Sequence, residues 1–354
     1  MSTSELIISP EDPILLTGAS GFIGRKVIGA LKDRGFRNLR CLVRASSDVQ
    51  CYPDSAIDGR AVHGVRFVEG DLLCRDACEA VTRDISVIYH LAAGTGTKSF
   101  ADVFMNSVVT TRNLLDGVLR HRCLRRFVNV SSFSVYTNRN KQWPKVLDES
   151  CPTEQHPERR GDAYCFAKVK QDELVLDYGK EHAIPYVLVR PGVVYGPGKQ
   201  RIHGRVGLGT FGIFLHLGGS NLIPFTYVEN CAEAIVLAGL TKGVEGQVFN
   251  VVDDDLPTSR QFLRMYKSEL GQFPSVYIPH SASYLVCFLW EKYSAWSRGQ
   301  LPPIYNRRAW SAYWKRTRYS NEKVKRMLDW RPKMPTAEGL KQYFASCRES
   351  KVHA

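Results

Sequence analysis

The 354-residue chain has no apolar run long enough to span a bilayer. Its longest late run, Tyr284-Leu285-Val286-Cys287-Phe288-Leu289-Trp290, stops at Glu291 and Lys292, far short of the ~20 residues a spanning helix needs. The first eleven residues lack the basic-then-apolar layout of a secretory leader, so a cytoplasmic protein is expected. Ten cysteines include no C-x-x-C and no zinc spacing, Cys74 and Cys78 being the nearest approach. Reduced thiols and no metal follow. Repeats and low-complexity tracts are missing. Acidic residues are few beside basic ones, 35 against 48, for a net charge of +13.

What is present begins with an apolar run, Pro13-Ile14-Leu15-Leu16, and then Thr17-Gly18-Ala19-Ser20-Gly21-Phe22-Ile23-Gly24. A short buried strand followed by glycines at 18, 21 and 24 predicts a tight strand-to-helix turn. A pyrophosphate can approach its backbone, and the amides of a helix continuing through residues 25–31 face that anion. Phe22 and Ile23 would seat the helix on the sheet. Further strands are expected at 39–43, 65–72, 87–93 and 126–130. Arg44 follows the second, where an arginine accommodates a ribose 2′-phosphate and a carboxylate would bind the 2′-hydroxyl; it favours NADP over NAD. Asp48 lies nearby in a loop-like stretch. Asp71 of Gly70-Asp71-Leu72 could meet an adenine amino group. Leu91-Ala92-Ala93 would let backbone pass close to the cofactor, and His90 before them reads as a packed histidine.

Ser131-Ser132 closes the fifth strand, and ligands of an open α/β sheet sit at the carboxyl ends of strands. Most such pairs are only turn residues. Downstream, Tyr164 and Lys168 are four apart and share a helix face. A phenol near ~10 is a poor base at neutral pH, but a nearby ammonium and a positive nicotinamide would lower it. Tyr164 could then take a proton from an alcohol as hydride leaves, or protonate an alkoxide in reverse, with Ser132 holding the same oxygen and Lys168 bonding the nicotinamide ribose.

With these motifs in this order the chain resembles the extended short-chain dehydrogenase/reductases. The resemblance covers roughly residues 10–345 and continues through Arg190-Pro191-Gly192-Val193-Val194-Tyr195-Gly196-Pro197-Gly198 and Tyr227-Val228-Glu229-Asn230-Cys231-Ala232. It implies a catalytic set of Ser132, Tyr164 and Lys168, with Ser132 four residues before Tyr136. It implies a structural or relay role for Asn106, and Pro191 and Val193 as nicotinamide walls. A homodimer formed through two helices of the large domain is implied too. Arg44 and Glu229 depart from the usual acid and the usual aspartate, and residues 94–102 shape the substrate entrance. The tail, with Tyr319-Ser320-Asn321-Glu322-Lys323 and Trp330-Arg331-Pro332-Lys333, looks more loosely like the 3β-hydroxysteroid dehydrogenase branch.

The expected fold is α/β: a Rossmann-type, doubly wound parallel sheet over 10–252, then a smaller C-terminal substrate lobe over 253–350. Residues 196–219, rich in glycine, read as a loop with short elements and a candidate lid. A helix returning over residues 224–240 would be capped near Glu229-Asn230, a strand is expected at 249–252, and Thr258 starts a new helix. The run 284–290 reads first as core packing, otherwise as a substrate cover, a subunit contact or a membrane-surface helix. Basic residues gather late, at Arg307, Arg308, Lys315, Arg316, Arg318, Lys323, Lys325 and Arg326. With interleaved aromatics they could suggest nucleic acid, but a phosphorylated substrate or peripheral contact with anionic lipid is the stronger expectation. The function expected is an NAD(P)-dependent oxidoreductase interconverting a secondary alcohol and a ketone, on a sugar nucleotide or a sterol- or isoprenoid-like compound. The alternatives are a nucleotide-sugar epimerase or dehydratase that retains NAD, and a non-catalytic cofactor sensor.

Overall fold

A computed structural model describes residues 6–47, 64–94, 99–138, 146–199, 202–210, 212–297, 300 and 305–352. The first half alternates strand and helix. β1 (Ile14–Thr17) runs into α1 (Phe22–Lys32), followed by β2 (Leu39–Val43), β3 (Val65–Glu69), α2 (Arg75–Thr82), β4 (Val87–His90) and α3 (Phe100–Phe104). Then come α4 (Thr110–His121), β5 (Arg126–Val130), β6 (Val146–Leu147), α5 (Ala163–His182), β7 (Tyr186–Pro191) and β8 (Val193–Tyr195). The second half holds β9 (Gly207–Thr210), β10 (Ile213–His216), β11 (Phe225–Tyr227), α6 (Val228–Leu240), β12 (Val248–Val251), α7 (Ser259–Leu270) and β13 (Ser275–Tyr277). It ends with α8 (His280–Trp296), α9 (Arg307–Tyr313), β14 (Arg318–Tyr319), α10 (Glu322–Leu328) and α11 (Thr336–Val352).

Seven strands form one sheet in the order β12-β7-β5-β4-β1-β2-β3, every pair parallel. The strands are apolar on both faces because both are covered. Ile14 and Leu16 join a core with Val27, Ile28 and Leu31 of α1 and Ile235 and Ala238 of α6. Leu15 joins the opposite core with Val81 of α2, Leu114 and Leu115 of α4 and Val175 of α5. This is the doubly wound arrangement that the strand–helix alternation predicts. Thr17 pairs with His90 and His90 with Asn129, so the carboxyl ends of β1, β4 and β5 emerge at one edge, where the chain order reverses.

The later elements form a three-stranded sheet, β13-β10-β9, beside a two-stranded pair, β11-β8. Val324, Leu328 and Trp330 nevertheless belong to the core beneath the main sheet, where the Trp330 indole donates to the Asn230 carbonyl at 3.0 Å.

Several expectations change here. Helix α1 begins at Phe22, not Arg25, and the third and fourth strands end at Glu69 and His90. Within 196–219, β9 and β10 form an antiparallel hairpin. A Cβ on Gly207 would come 2.0 Å from the Leu215 carbonyl oxygen, so this glycine permits close strand approach. Helix α6 starts at Val228 with no side-chain cap from Tyr227. The start of the helix is braced instead by Asp253, whose carboxylate accepts from the Tyr227 amide at 2.8 Å and the Asn230 side chain at 3.0 Å. Thr258 does start α7, in a reciprocal capping box with Gln261.

Core packing for the run 284–290 is not what forms. Helix α8 buries only Ser283, Cys287 and Ser294, and leaves Leu285, Val286 and Leu289 more than half exposed. Among the described residues no helix is long and apolar enough to cross a membrane.

Candidate active site

The glycine turn is shaped by what each position must avoid. Gly18 has φ +68°, and a Cβ there would lie 2.8 Å from the Ala92 amide. A Cβ on Gly24 would lie 2.3 Å from the Gly18 carbonyl oxygen. Both therefore keep β1, α1 and the end of β4 packed together. Gly21 precedes α1 without a side-chain cap, which leaves the first helical amides available to an anion.

Two cavities meet at this turn. One, of about 350 Å³, is lined by Gly18, Gly21, Phe22, Ile23, Gly24, Leu91, Ala93, Ser131, Ser132, Tyr164, Lys168, Pro191 and Val193. The other, of about 240 Å³, is lined by Gly18, Ser20, Gly21, Leu91, Ala92, Ala93, Arg44, Ser47, Leu72 and Asn106. Shared walls make one trough across the switch point of the sheet. Its uncapped helix amides and glycine floor fit a dinucleotide, with Ser132, Tyr164 and Lys168 at one end and Arg44 at the other.

Sixteen of the seventeen residues singled out for catalysis or cofactor binding line this trough. Asp71 does not: its carboxylate is turned to the Leu73 amide at 2.9 Å, closing the turn before α2. Asn106 lines the second cavity and donates to the Asp102 carbonyl at 2.8 Å. It lies in a π-helical turn, Met105–Val109, a bulge common near functional sites. In the substrate-entrance stretch 94–102, residues 95–98 lie outside the described residues, as does Asp48.

Tyr164 is placed by its own helix start. Asp162 caps α5, accepting from the Tyr164 and Cys165 amides at 3.1 Å each. Its other oxygen accepts from the Tyr313 hydroxyl at 2.7 Å, tying α5 to α9. Ser132, whose hydroxyl accepts from the Ser134 amide at 3.1 Å, shares a cavity wall with Tyr164, and the Lys168 ammonium lies 5.9 Å from the Tyr164 ring centroid. In the chain alone burial pushes Tyr164 up to about 12, with the Ser132 hydroxyl offsetting only part of this, so the expected lowering depends on the positive nicotinamide. Lys168 is too distant to reverse it, being held by the Val130 carbonyl at 2.7 Å and the Gln171 side-chain oxygen at 2.8 Å. Burial also brings the Lys168 ammonium down to about 8.

His90 is packed, fully buried between Thr17 and Thr111. Burial lowers its pKa to about 3, so it is neutral. Sequence reasoning missed Gln171, Thr111 and Thr17, and also Lys199 and His203 on the cavity wall. For Gln171 a signal existed, since three residues after Lys168 is the same helix face.

Residues 14–251 match the model of the NAD dependent epimerase/dehydratase family. The chain belongs to that family. Its relatives in the family include short-chain dehydrogenase/reductase family 42E member 1 of Homo sapiens, 28% identical over 306 residues, 80% of this chain and 74% of that one. The 3beta-hydroxysteroid-dehydrogenase/decarboxylase isoform 1 of Arabidopsis thaliana is 25% identical over 352 residues, 94% and 79% of the two chains. A trifunctional UDP-glucose 4,6-dehydratase, epimerase and reductase of Arabidopsis thaliana is 28% identical over 252 residues, 67% of this chain; the match spans only 36% of that enzyme.

Solved structures share the family fold. UDP-glucuronic acid 4-epimerase from Bacillus cereus, with UDP-glucuronic acid and NAD, aligns with TM-score 0.70 and 21% identity, covering 96% of this chain and 99% of that one. The dTDP-glucose 4,6-dehydratase DesIV from Streptomyces venezuelae, with NAD, gives TM-score 0.72 and 19% identity, covering 96% and 98%. The extended short-chain dehydrogenase/reductase type read from the motifs is thus the type of the family. Among the described residues no group of three His, Cys, Asp or Glu could hold a metal ion.

Proposed function

We propose that the protein interconverts a secondary alcohol and a ketone, with Ser132, Tyr164 and Lys168 as its catalytic set. The observation that carries this reading is the convergence of these three side chains on the cavity that the glycine turn also lines. A bound nicotinamide supplies the hydride chemistry. Ser132 orients the substrate oxygen, Tyr164 moves its proton, and Lys168 holds the ribose and offsets negative charge on the phenol. The phenol raised by burial suits a general acid in ketone reduction; in oxidation a positive charge beside it is needed to bring it down.

Arg44, exposed at the end of β2 and facing the cavity with Ser47, supports NADP. A neighbouring cavity of about 630 Å³ supports a bulky, partly apolar substrate received by the lobe 253–350. Tyr195, Phe225, Phe262 and Tyr343 line it, and it shares Val193, Lys199 and His203 with the catalytic end.

The second reading, an epimerase or dehydratase with retained NAD, draws on the sugar-nucleotide activities named for several relatives. Mass spectrometry of nucleotide released on denaturation separates the two. Near-stoichiometric NAD favours the second reading and counts against Arg44 as a phosphate ligand. An empty site or a trace of NADP favours the first, and alcohol and ketone panels with nicotinamide absorbance then test turnover.

A further inference from the structure

Lys168 is the end of a buried polar chain that runs across the sheet edge. Its ammonium has three N–H donors. Val130 accepts one at 2.7 Å and Gln171 Oε1 another at 2.8 Å. Gln171 Nε2 then donates to Thr111 Oγ1 at 2.7 Å. The Thr111 hydroxyl proton goes to the Ser107 carbonyl at 2.5 Å, which the π-helical turn presents. His90 Nε2 lies 2.8 Å from the same hydroxyl, and His90 Nδ1 lies 2.7 Å from Thr17 Oγ1. Thr17 Oγ1 in turn accepts from the Ala92 amide at 3.3 Å, on the cofactor wall. Thr17, His90, Thr111 and Gln171 are all essentially fully buried, and Lys168 is 2% exposed.

Only one set of proton positions satisfies every contact. Thr111 has a single proton and spends it on Ser107, so it must accept from His90, which therefore carries its proton on Nε2. His90 Nδ1 then accepts from Thr17. Reversing the Gln171 amide would set its NH₂ against an ammonium and its oxygen against a hydroxyl whose proton is already used. The amide orientation is thus fixed by chemistry.

We propose that Gln171, Thr111 and His90 form a positioning relay that holds the Lys168 ammonium in one orientation, its third N–H toward the cavity, and links it to the Ala92 wall. This rests on the reading of Lys168 as a member of the catalytic set. Gln171 is then a positioning residue. Its use of a neutral oxygen matters: a carboxylate there would hold the ammonium as firmly but keep it charged to a higher pH. The charged and titratable groups facing Lys168 are accounted for. Asp172 is tied to Arg190 at 3.0 Å, His90 is neutral, and Tyr164 presents its ring.

The test compares Gln171→Glu, Thr111→Val and Thr111→Ser with the natural protein in the ketone-reduction pH profile, alongside thermal midpoints. Gln171→Glu is expected to move the alkaline limb of kcat/KM upward by about one pH unit or more, as a carboxylate beside an ammonium does. Thr111→Val is expected to lower kcat about tenfold, the scale of one neutral hydrogen bond, and Thr111→Ser to restore it. Losses that follow only the thermal midpoints, with the limb unmoved, would overturn the relay.

Two further measurements need no turnover: the His90 tautomer by nitrogen-15 NMR, and the Lys168 titration in natural and Gln171→Glu protein. A proton on Nδ1, or an identical Lys168 titration in both, would overturn the relay. Natural turnover by Tyr164→Phe would instead sink the catalytic reading, and the relay would stand or fall on the NMR.

Discussion

Asp172 and Arg190 form a buried ion pair: Arg190 Nη2 and Nε lie 3.0 and 3.1 Å from Asp172 Oδ2, with both side chains 5% exposed. The pair ties α5, which carries Tyr164 and Lys168, to β7, which leads into Pro191 and Val193. The Arg190 guanidinium also lies 4.9 Å from the Tyr136 ring centroid. Removing one charge of such a pair strands the other in the core, which costs about 3–5 kcal/mol. Asp172→Asn is therefore expected to lower stability by that amount in urea denaturation, with the catalytic end loosened. A loss below about 1 kcal/mol would show that the pair behaves as though solvated.

Tyr164→Phe removes the proton donor and leaves the ring in place. Cofactor binding is expected to survive while turnover falls by about 10²-fold or more; equal turnover would refute the mechanism. The pH profile adds a sign. Ketone reduction needs the neutral phenol, which burial keeps protonated to about 12, and the Lys168 ammonium, which burial makes lose its proton near 8. Reduction should therefore hold below pH 8 and fall as pH rises through it. A flat profile to pH 10 would contradict the role given to Lys168.

At the other end of the trough, the Arg44 amide donates to Ser47 Oγ at 3.1 Å and the Ser47 amide to the Arg44 carbonyl at 2.8 Å. This tight turn sets guanidinium and hydroxyl on one cavity wall. Exchanging Arg44 for Asp puts a carboxylate where a 2′-phosphate would lie. NADP binding should weaken by about tenfold or more relative to NAD, the value of a charge-assisted hydrogen bond. A cofactor titration with unchanged preference would remove Arg44 from the site.

How legible these features were depended on the range of the interaction. β2 and β5 are continuous runs without competing signals, and their bounds read directly from the sequence. The start of α1 did not, because Gly21 offers no capping side chain. Motif spacing joined Tyr164 to Lys168 because both sit on one helix face. The Lys168 contacts to Gln171, and onward to Thr111 60 residues away, depend on how α4 and α5 pack, which no local pattern encodes. Burial of Tyr164, and with it the upward pKa, is likewise a property of the assembled cavity.

Asp253 gives a prediction of the same non-local kind. It braces the start of α6 from just past the end of β12, and burial pushes its pKa up to about 7, with the Tyr227 and Asn230 hydrogen bonds offsetting part of that. The folded chain then holds a proton that the unfolded chain has released above about 4. Stability from this group is full below that pH and is lost as pH rises toward 7, by roughly 2–4 kcal/mol. Urea denaturation from pH 4 to 8 should show the decline, and Asp253→Asn should flatten it. The same slope in both proteins would assign the decline to other groups.

Helix α8 misled the sequence reading because it is apolar on two faces, so its run carries no clean helical period. Cys287 faces inward with Leu217 and Trp314. Leu285, Leu289 and Trp296 face outward, 54%, 56% and 77% exposed, with Tyr293 and Trp296 stacked at 5.7 Å. Outward residues contribute little to the folded chain, so Leu289→Gln should change stability by less than about 0.5 kcal/mol. Trp314 is 6% exposed and its indole donates to the Gly204 carbonyl at 3.0 Å. Truncating it to Ala should cost about 3–5 kcal/mol. Urea denaturation of the two variants decides the matter: a loss for Leu289→Gln as large as that for Trp314→Ala would mean that this stripe is packed when the protein is in solution.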